Sequence, residues 1–310
     1  MPPSPAVVRA AGLALGVVAD AVLGDPAHGH PVAGFGRLVA GLERRLYADA
    51  VAPGAALVGL AVAGPVLTGL AVEELGRRRP LLGLVGTAAA TWAVLGGTSL
   101  RREATALADA LERGDLEAAR ARLPNLCGRD PAHLDEQEIA RASVESVAEN
   151  TSDAVVGPLV WGAIAGLPGL VGYRAVNTLD AMVGHRSERY QAFGWAAARL
   201  DDAANLVPAR LTALLTVLAA KRPRQAAAAW WRDGHRHPSP NAGQCEAAFA
   251  GALGIRLGGR NTYAGRVEDR PHLNEAGRPP EPPDIRAAAR LSTVVSLAAL
   301  AIAIGRRIKR

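Results

Sequence analysis

Carboxylate side chains recur at helical spacing in the middle of the chain, next to apolar sequence. Glu145, Glu149 and Asp153 are each four residues apart, so a helix would place all three on one face. Like charges at this spacing repel by a few tenths of a kcal/mol per pair unless a cation or an arginine neutralises them. The pattern predicts that these carboxylates, with Asn150 beside them, belong to one polar site at the edge of a membrane.

A second acidic group follows further along the chain. Asp201, Asp202 and Asn205 share one face of a predicted helix, and Asn177 and Asp180 share another. One or two carboxylates, with water molecules retained, are a common way for a protein to hold Mg²⁺. The acidic pair could instead cap the next helix, and the sequence leaves both interpretations open.

Two isolated charged residues also need partners. Arg210 lies inside an apolar helix predicted over residues 203–220, where an arginine requires an anion such as Asp202 or a bound phosphate. Asp25 lies in a Gly-Asp-Pro turn after the first apolar run. Such turns use the aspartate as a cap, so Asp25 is either a cap or a substrate-binding residue.

A Ser/Asn/Gly turn precedes a short helix predicted over residues 244–253. Its relevant residues are Ser239, Asn241 and Gly243. The free N–H groups and the positive dipole end of a helix N-terminus form a natural phosphate site. Most turns of this kind are ordinary caps, so the turn alone does not decide between the two roles.

The elements that carry these residues are predicted to be helices in a membrane. Charge-free or nearly charge-free runs occupy residues 6–24, 50–72, 80–100, 154–173, 203–220 and 291–305. About 20 apolar residues suffice to cross a hydrocarbon layer of about 30 Å. The run 154–173 is interrupted by prolines and glycines, which favours a re-entrant pair over a simple crossing. The fold class is therefore an all-α, polytopic integral membrane protein, rather than a soluble bundle of buried helices.

The remaining segments fit a single membrane domain over residues 1–310. Residues 34–47 predict an amphipathic helix along the membrane surface, and residues 101–124 and 134–150 predict solvated helices. The stretch 257–261 predicts a flexible turn, and the proline-rich stretch 271–284 predicts a linker.

Charge and motifs exclude several function classes. The chain has a net charge of +6, and almost all of its positive charges are arginines, because Lys221 and Lys309 are the only lysines. The sequence has no basic stripe interleaved with aromatic residues, so nothing suggests that it binds nucleic acid. Binding to anionic lipid explains the juxtamembrane arginines. The two cysteines show no metal-binding spacing and suggest a reducing compartment. Motifs for a P-loop, a dinucleotide fold or a serine hydrolase do not occur.

Several blocks taken together resemble the cobalamin biosynthesis protein CobD/CbiB family, in the same order and over nearly the whole chain. The blocks are Asp20…Gly24-Asp25-Pro26…His30-Pro31, Glu145-Ser-Val-Ala-Glu149-Asn150-Thr-Ser-Asp153, Tyr173-Arg-Ala-Val-Asn177-Thr-Leu-Asp180, Arg199-Leu-Asp201-Asp202…Asn205…Pro208-Ala-Arg210 and Ser239-Pro240-Asn241-Ala242-Gly243. One departure is His185, where the pattern leads us to expect an aromatic residue.

The resemblance implies an integral enzyme of the cell (plasma) membrane, adenosylcobinamide-phosphate synthase. Such a ligase joins the free propionate carboxyl group of adenosylcobyric acid to (R)-1-amino-2-propanol or its O-phosphate. The resemblance implies ATP as a substrate and Mg²⁺ as a cofactor, because a carboxylate is a poor acyl donor until it is activated. Membrane lipid and other membrane enzymes of late corrinoid assembly are the expected partners, and nucleic acid is not.

The resemblance and the residue pattern together suggest roles for individual residues. We expect Glu145, Glu149, Asp153, Asp201 and Asp202 to hold Mg²⁺ and ATP, with Asp153, Asp201 and Asp202 as metal ligands. The expected proton acceptors for the attacking amine are Asp180 and His185. The expected substrate- and phosphate-binding residues are Asp25, Asn150, Asn177, Arg186, Asn205, Arg210, Ser239, Asn241 and Gly243.

Two other functions remain open from the sequence. The Asp201-Asp202-Ala-Ala-Asn205 motif could be half of a diphosphate site in a membrane prenyltransferase, although no second acidic motif of that kind follows. Charged residues inside apolar runs could instead mark the pathway of a small transporter. A transporter predicts internal repeats, and the sequence has none.

Overall fold

The computed structural model describes residues 3–25, 29–185, 187–263 and 266–308, and it is mostly helical. Its helices are α1 Pro5–Leu23, α2 Pro31–Leu46, α3 Val51–Arg78, α4 Pro80–Val94, α5 Gly97–Glu112, α6 Leu116–Arg122, α7 Glu136–Thr151, α8 Gly157–Leu179, α9 Trp195–Ala219, α10 Pro223–Asp233, α11 Ala242–Leu253 and α12 Pro282–Ile308. A 3₁₀ turn covers Leu123–Asn125, and π-helical turns cover Ser152–Val156 and Asp180–Gly184. Two strands, β1 Leu257–Tyr263 and β2 Arg266–Leu273, pair antiparallel.

The chain divides into two compact units. Unit 1 contains Met1–Gly96, Gly157–Asn205 and Leu300–Arg310, and unit 2 contains Gly97–Val156 and Leu206–Ala299.

Six helical stretches of the described chain are long and apolar enough to cross a membrane. They are Pro5–Leu23, Val51–Arg78, Pro80–Glu112, Glu136–Gly184, Trp195–Ala219 and Pro282–Gly305. Each contains one of the apolar runs predicted from the sequence or most of it, and α2 occupies the predicted amphipathic segment. The prediction of a polytopic, helical membrane protein is confirmed.

Helix α8 is a hairpin of two arms that reverse at Gly166. This glycine has φ +71°, in the left-handed region that favours glycine. Residues far apart in sequence meet across the two arms: a Cβ atom at Gly162 would lie 3.3 Å from Cδ1 of Leu170, and one at Gly157 would overlap the Tyr173 ring. Within α8 the arms are about 13 and about 20 Å long at 1.5 Å per residue, and helical structure continues on either side, from Glu136 to Gly184. The run 154–173 therefore turns back on itself at Gly166, and its re-entrant placement in a membrane stays a prediction.

A carboxylate at the tip of the hairpin accepts the hydrogen bonds that the reversal leaves open. Oε1 of Glu73 accepts the N–H of Leu167 at 3.1 Å and a guanidinium N–H of Arg9 at 2.8 Å. Leu167 opens the second arm, so its N–H has no carbonyl partner within the helix. Glu73 caps this arm, and Arg9 balances the charge.

Unit 1 is packed around apolar side chains from several helices. Val39, Leu57, Leu179 and Phe193 form one fully buried cluster, which joins α2, α3, the end of α8 and the segment before α9. This cluster fixes the end of α8 that carries the candidate site.

Unit 2 has a core of its own, in which α7 is central. The described core includes Leu107, Ile139, Val147, Phe249 and Ile285, all fully buried. Helix α7 begins with a capping box, because Asp135 accepts from the N–H of Glu138 and Glu138 accepts from the N–H of Asp135. The start of the helix that carries Glu145 and Glu149 is therefore fixed by its own sequence.

The stretch 257–261, predicted as a flexible turn, instead forms β1, so that prediction was wrong. Gly258 and Gly259 have φ +82° and +92° and create a bulge, since the register shifts between Leu257 and Gly259. The glycines suggested a loop, but they permit a bulged strand that pairs with β2.

The proline-rich stretch 271–284 is held by specific contacts, unlike the flexible linker its composition suggests. The stretch begins within β2 and ends within α12. Between them Asn274 donates its N–H to Asp233 at 2.8 Å and its amide to the Ile255 carbonyl at 2.9 Å. The Arg278 guanidinium donates to both oxygens of Asp284 at 2.7 Å. Composition could not reveal these partners, because Asp233 and Ile255 lie elsewhere in the sequence.

We predict that Glu73→Gln destabilises the protein by about 1–3 kcal/mol, because Arg9 loses the charge that it faces and the cap of the second arm weakens. Thermal unfolding in detergent measures this change. The matched control is Glu74→Gln, since Glu74 is 52% exposed and pairs only with exposed Arg77 and Arg78 among the described residues. The control should change stability by less than about 0.5 kcal/mol. Equal stability of both variants would contradict the role of Glu73.

A second prediction concerns Asp233, which anchors the proline-rich stretch. Burial acts to raise the pKa of Asp233, but the Arg232 guanidinium and the N–H of Asn274 outweigh burial, and the pKa is lowered. A lowered carboxyl pKa stabilises the fold at neutral pH, and this stabilisation is lost as the pH falls through the pKa of the folded state.

Asp233→Asn should therefore cost about 1–3 kcal/mol at pH 7, and the difference from the unmutated protein should shrink in acid. Thermal unfolding at a series of pH values tests this, with Asp269→Asn as the control because Asp269 is 73% exposed. A constant difference at all pH values would show that the carboxylate charge is not responsible.

Candidate functional site

The structure brings three predicted site residues of unit 1 together between α8 and α9. The amide nitrogen of Asn205 donates to Oδ2 of Asp201 at 2.9 Å, and that of Asn177 lies 3.4 Å from Oδ1 of the same carboxylate. The hydroxyl group of Tyr173 donates to Oδ1 of Asn205 at 2.7 Å. Tyr173, Asp201 and Asn205 are buried. Both oxygens of Asp201 are thus held by amides inside an apolar helix pair.

The turn of α9 that carries Asp201 and Asn205 is fixed by a further side chain. Pro208 has no N–H to donate to the carbonyl of Ala204, four residues earlier. The indole N–H of Trp161, in the first arm of α8, donates to that carbonyl at 3.0 Å. The hydrogen bond lost to the proline is therefore replaced, and α9 is tied to the hairpin next to Asn205.

The other predicted residues of this part of unit 1 surround the network. Asp202 is half-buried, with Oδ2 3.5 Å from the exposed guanidinium of Arg199. Asp180 begins the π-helical turn, and its carboxylate packs against Gly184. His185 is exposed and meets the Tyr190 ring edge-on at 4.9 Å between centroids. The predicted phosphate ligand Arg186 lies outside the described residues.

The donor set around Asp201 fits Mg²⁺ held partly by a substrate. Among the described residues, no three His, Cys, Asp or Glu side chains form a ready metal cage. Mg²⁺ is usually bound through one or two carboxylates with waters and substrate phosphates, and needs no such cage. Asp201 and Asp202 are adjacent, and each oxygen of Asp201 has a lone pair beyond the one its amide partner uses. Asp153 belongs to unit 2.

Asp25, also in unit 1, follows the C-cap of α1. Its Oδ1 is buried and accepts no hydrogen bond from any residue that the structure describes. The preceding carbonyl, that of Gly24, accepts the indole N–H of Trp92 at 2.9 Å. The turn is thus anchored through Gly24, and one carboxylate oxygen of Asp25 remains available for a ligand or a water molecule.

In unit 2, Glu145 is buried and ties α7 to the strand pair. Its carboxylate forms an ion pair with buried Arg129 and accepts the N–H of Gly258 at 2.7 Å. One turn earlier, Arg141 donates to the carbonyls of Gly258 and Arg260 at 2.9 and 2.6 Å. Glu145 and Arg141 of α7 therefore bind one N–H group and two carbonyl groups of the bulged strand.

The other residues of the predicted acidic face have different surroundings. Glu149 is exposed and Asp153 is half-buried. Asn150 donates its amide to the carbonyl of Ser146 at 2.9 Å, along its own helix. Asp153 itself lies in the π-helical turn Ser152–Val156, where the regular α-helical spacing is interrupted. The three carboxylates are regularly spaced in sequence, yet only Glu149 and Asp153 are open to solvent.

Arg210 contacts the turn that was predicted to bind phosphate. Its guanidinium donates to Oδ1 of Asn241 at 3.1 Å and lies 3.4 Å from the carbonyl of Pro240. The arginine is exposed, whereas Asn241 is buried. Two predicted phosphate-binding residues therefore meet in unit 2, and their link is a neutral amide.

Some of the N–H groups of the turn are already hydrogen-bonded within the turn. The hydroxyl oxygen of Ser239 accepts the N–H groups of Asn241 and Ala242 at 3.3 and 3.2 Å. Gly243 is needed for close packing, because a Cβ atom there would overlap His237. Two of the N–H groups at the start of α11 are thus already bound, and the Arg210 guanidinium adds a positive charge beside the turn.

A buried ionisable group that the sequence did not single out lies below this turn. Glu246 of α11 and His237 are 3.7 Å apart, with side chains 3% and 6% exposed. Burial, and then the nearby Glu145 and Glu149, raises the pKa of Glu246 well above its usual range. Burial, and then Arg270, lowers the pKa of His237 to about 4. His237 is therefore neutral at physiological pH.

Neither cysteine is a suitable nucleophile. Burial raises the pKa of the Cys127 thiol, and it raises that of the fully buried Cys245 thiol more strongly. A raised pKa keeps both side chains in the unreactive thiol form. The chemistry of this protein is expected to use oxygen and nitrogen groups.

Sequence reasoning missed the residues that hold the predicted ones in place. Tyr173, Trp161 and Arg141 share one feature, a polar tip on a large side chain next to apolar sequence. That feature indicates a partner elsewhere in the fold, but it does not name the partner. The partners are Asn205 for Tyr173, the Ala204 carbonyl for Trp161 and the Gly258 carbonyl for Arg141, and only the structure shows these pairings.

This chain is similar to known proteins over almost its whole length. The family model described as CobD/Cbib protein matches residues 13–292. The cobalamin biosynthesis protein CobD of Mycobacterium tuberculosis is 54% identical over 301 residues, which cover 96% of this chain and 95% of the relative. Proteins of the same name from Geobacter metallireducens and Rhodobacter capsulatus are 46% and 43% identical, covering 85% and 88% of this chain and 86% and 90% of their own.

No solved structure is significantly similar to this chain. The sequence matches extend through both units and include every predicted site residue. The chain belongs to the CobD/CbiB protein family.

Proposed function

We propose that the protein is an ATP-dependent, amide-forming ligase of cobalamin biosynthesis. It joins adenosylcobyric acid to (R)-1-amino-2-propanol or its O-phosphate and gives adenosylcobinamide or its phosphate. Membership of a family whose relatives are named cobalamin biosynthesis protein CobD supports the pathway. The observation that carries the proposal of an active site is the Asp201 carboxylate, which two amides hold inside an apolar helix pair.

The reaction requires activation of a carboxylate. Transfer of the γ-phosphoryl group of ATP to the substrate carboxylate gives an acyl phosphate and ADP. The neutral amine then attacks the acyl carbon, so that the C–N bond forms, the C–O bond to phosphate breaks and inorganic phosphate leaves. The ammonium form of the amine must first lose a proton, and Asp180 and His185 are the groups of unit 1 proposed to accept it.

The roles of the carboxylates follow from their surroundings. Asp201 and Asp202 would hold Mg²⁺ in unit 1, and the bound ion would neutralise charge on the ATP phosphates. Glu149 and Asp153 of unit 2 are open to solvent and suit contact with a charged substrate. Glu145 is bound by Arg129 and Gly258, so we assign it to holding the strand pair.

Arg210 is the proposed phosphate-binding cation of unit 2. Its guanidinium is exposed, and the amide oxygen of Asn241 orients it without neutralising its charge. Asn150 donates along its own helix, Ser239 accepts the N–H groups of Asn241 and Ala242, and Gly243 allows close packing at the start of α11. We further propose that the enzyme resides in the plasma membrane, where it works beside other membrane enzymes of late corrinoid assembly.

Product analysis tests the function directly. The purified full-length protein in detergent is given adenosylcobyric acid, ATP and either amine, and the corrinoid products are separated and weighed by mass spectrometry. The expected product has the mass of the amide and requires both ATP and amine. Formation of no amide with either amine, or turnover of labelled prenyl diphosphate instead, would contradict the proposal.

We predict that Glu149→Ala and Asp202→Ala each lower amide formation at least about 100-fold, because each removes several kcal/mol of charge stabilisation. The matched control is Glu136→Ala, an exposed glutamate in the first turn of α7 that should leave the rate unchanged. Membrane insertion and thermal stability should match those of the unmutated protein. Full activity of either variant would remove that residue from the proposed site.

Removal of divalent metal should abolish amide formation without unfolding the protein. No cage of three or more metal-binding side chains occurs among the residues described, so the metal is not expected to support the fold. Activity measured with EDTA, and then with excess Mg²⁺ or Mn²⁺, tests this prediction alongside helical content by circular dichroism. Persistent activity in EDTA, or loss of helical signal, would each be contrary to it.

A further inference from the structure

Tyr173 occupies the junction between the α8 hairpin and the candidate site. The residue is only 3% exposed, and its ring lies over Gly157 of the opposite arm, where any Cβ atom would overlap it. The ring is therefore locked in place by the backbone of the hairpin. Its hydroxyl group reaches out of the hairpin and donates to the amide of Asn205 at 2.7 Å.

The chemistry of the three groups gives the hydrogen-bond chain a direction. A carboxylate can only accept hydrogen bonds, so the NH₂ group of Asn205 must face Asp201. The amide oxygen of Asn205 then faces Tyr173, whose hydroxyl group can donate to it. The carboxylate alone sets which end of the amide faces it, and the Tyr173 hydroxyl group adds a second point of attachment at the amide oxygen. Tyr173 thereby restrains the position of the amide that Asp201 orients.

We propose that Tyr173 is a positioning residue for the Asp201 carboxylate, acting through Asn205. Its ring takes its position from the hairpin, and its hydroxyl group transfers that position through Asn205 to Oδ2 of Asp201. The orientation of the remaining lone pairs, which would meet a divalent ion, is set in this way. The inference rests on the proposed function only in taking Asp201 as a ligand for Mg²⁺.

The proposal predicts a loss of metal affinity that differs from a packing effect. Tyr173→Phe keeps the ring over Gly157 and removes only the hydroxyl group. Residues that orient metal ligands typically contribute 10- to 100-fold in affinity, and we expect the affinity to fall about 10-fold here. The matched control is Tyr47→Phe in unit 1, because the Tyr47 hydroxyl also donates one hydrogen bond, to the carbonyl of Arg189 at 3.1 Å.

The experiment measures Mn²⁺ binding in the presence of ATP by electron paramagnetic resonance, using the full-length protein in detergent. Four proteins are compared with the unmutated one: Tyr173→Phe, Asn205→Ala, the double variant and Tyr47→Phe. Since Tyr173 is proposed to act only through Asn205, the double variant should bind Mn²⁺ as weakly as Asn205→Ala alone. Thermal unfolding of the same samples shows whether each variant is folded.

Three results would decide the question. Weaker binding by Tyr173→Phe, a non-additive double variant and an unchanged control would support the proposal. The proposal would be overturned if Tyr173→Phe bound Mn²⁺ as tightly as the unmutated protein, or if the losses of the two single variants added up in the double variant. The proposed ligase function would still stand if Tyr173→Phe formed the amide. Failure of the unmutated protein to bind Mn²⁺ would overturn both this inference and the metal role of Asp201, and the separate product assay would then show whether the ligase function stands.

Discussion

The reversal of α8 at Gly166 is the constraint on which unit 1 depends. A backbone that leaves helical geometry inside an apolar run exposes polar groups, and each unpaired group costs several kcal/mol in such surroundings. Glu73 accepts the freed N–H of Leu167, and Arg9 compensates its charge. Because the chain reverses there, the second arm runs back along the first, and Tyr173 comes to lie over Gly157. The site network around Asp201 thus depends on an ion pair between two other helices.

The same principle, that every polar group in an apolar region needs a partner, explains the local structure of α9. Pro208 deprives the Ala204 carbonyl of its helical donor, and the Trp161 indole replaces it. One residue further on, Asn205 satisfies Asp201 on one side and Tyr173 on the other. Proline and aspartate are individually unfavourable in an apolar helix. Trp161 of the first arm binds the carbonyl that Pro208 leaves without a donor. Asn177 of the second arm contacts Asp201 directly, and the hairpin therefore supports both unfavourable residues.

The sequence predicted the helices and the interruption of the run 154–173 because hydropathy and proline or glycine placement are local signals. It could not predict the strand pair, since Gly258 and Gly259 suggest a loop until the partner strand is known. Arg210 was expected to need an anion, and it binds the amide of Asn241 instead. Of the predicted network, the sequence supplied Asn177, Asp201 and Asn205 but not Tyr173, because helical spacing relates residues within one helix and gives no contacts between helices.

Burial separates carboxylates that their spacing makes equivalent. Glu145 and Glu149 differ by one helical turn, yet Glu145 has its oxygens bound by Arg129 and Gly258, whereas Glu149 is exposed. A carboxylate whose charge is neutralised by a buried arginine has little capacity left to bind a metal ion or a substrate cation. Its removal would leave Arg129 buried without a counter-charge, which is strongly destabilising. Loss of activity after mutation of Glu145 would therefore report on the strand pair, whereas Glu149 and Asp153 can report on the chemistry of this face.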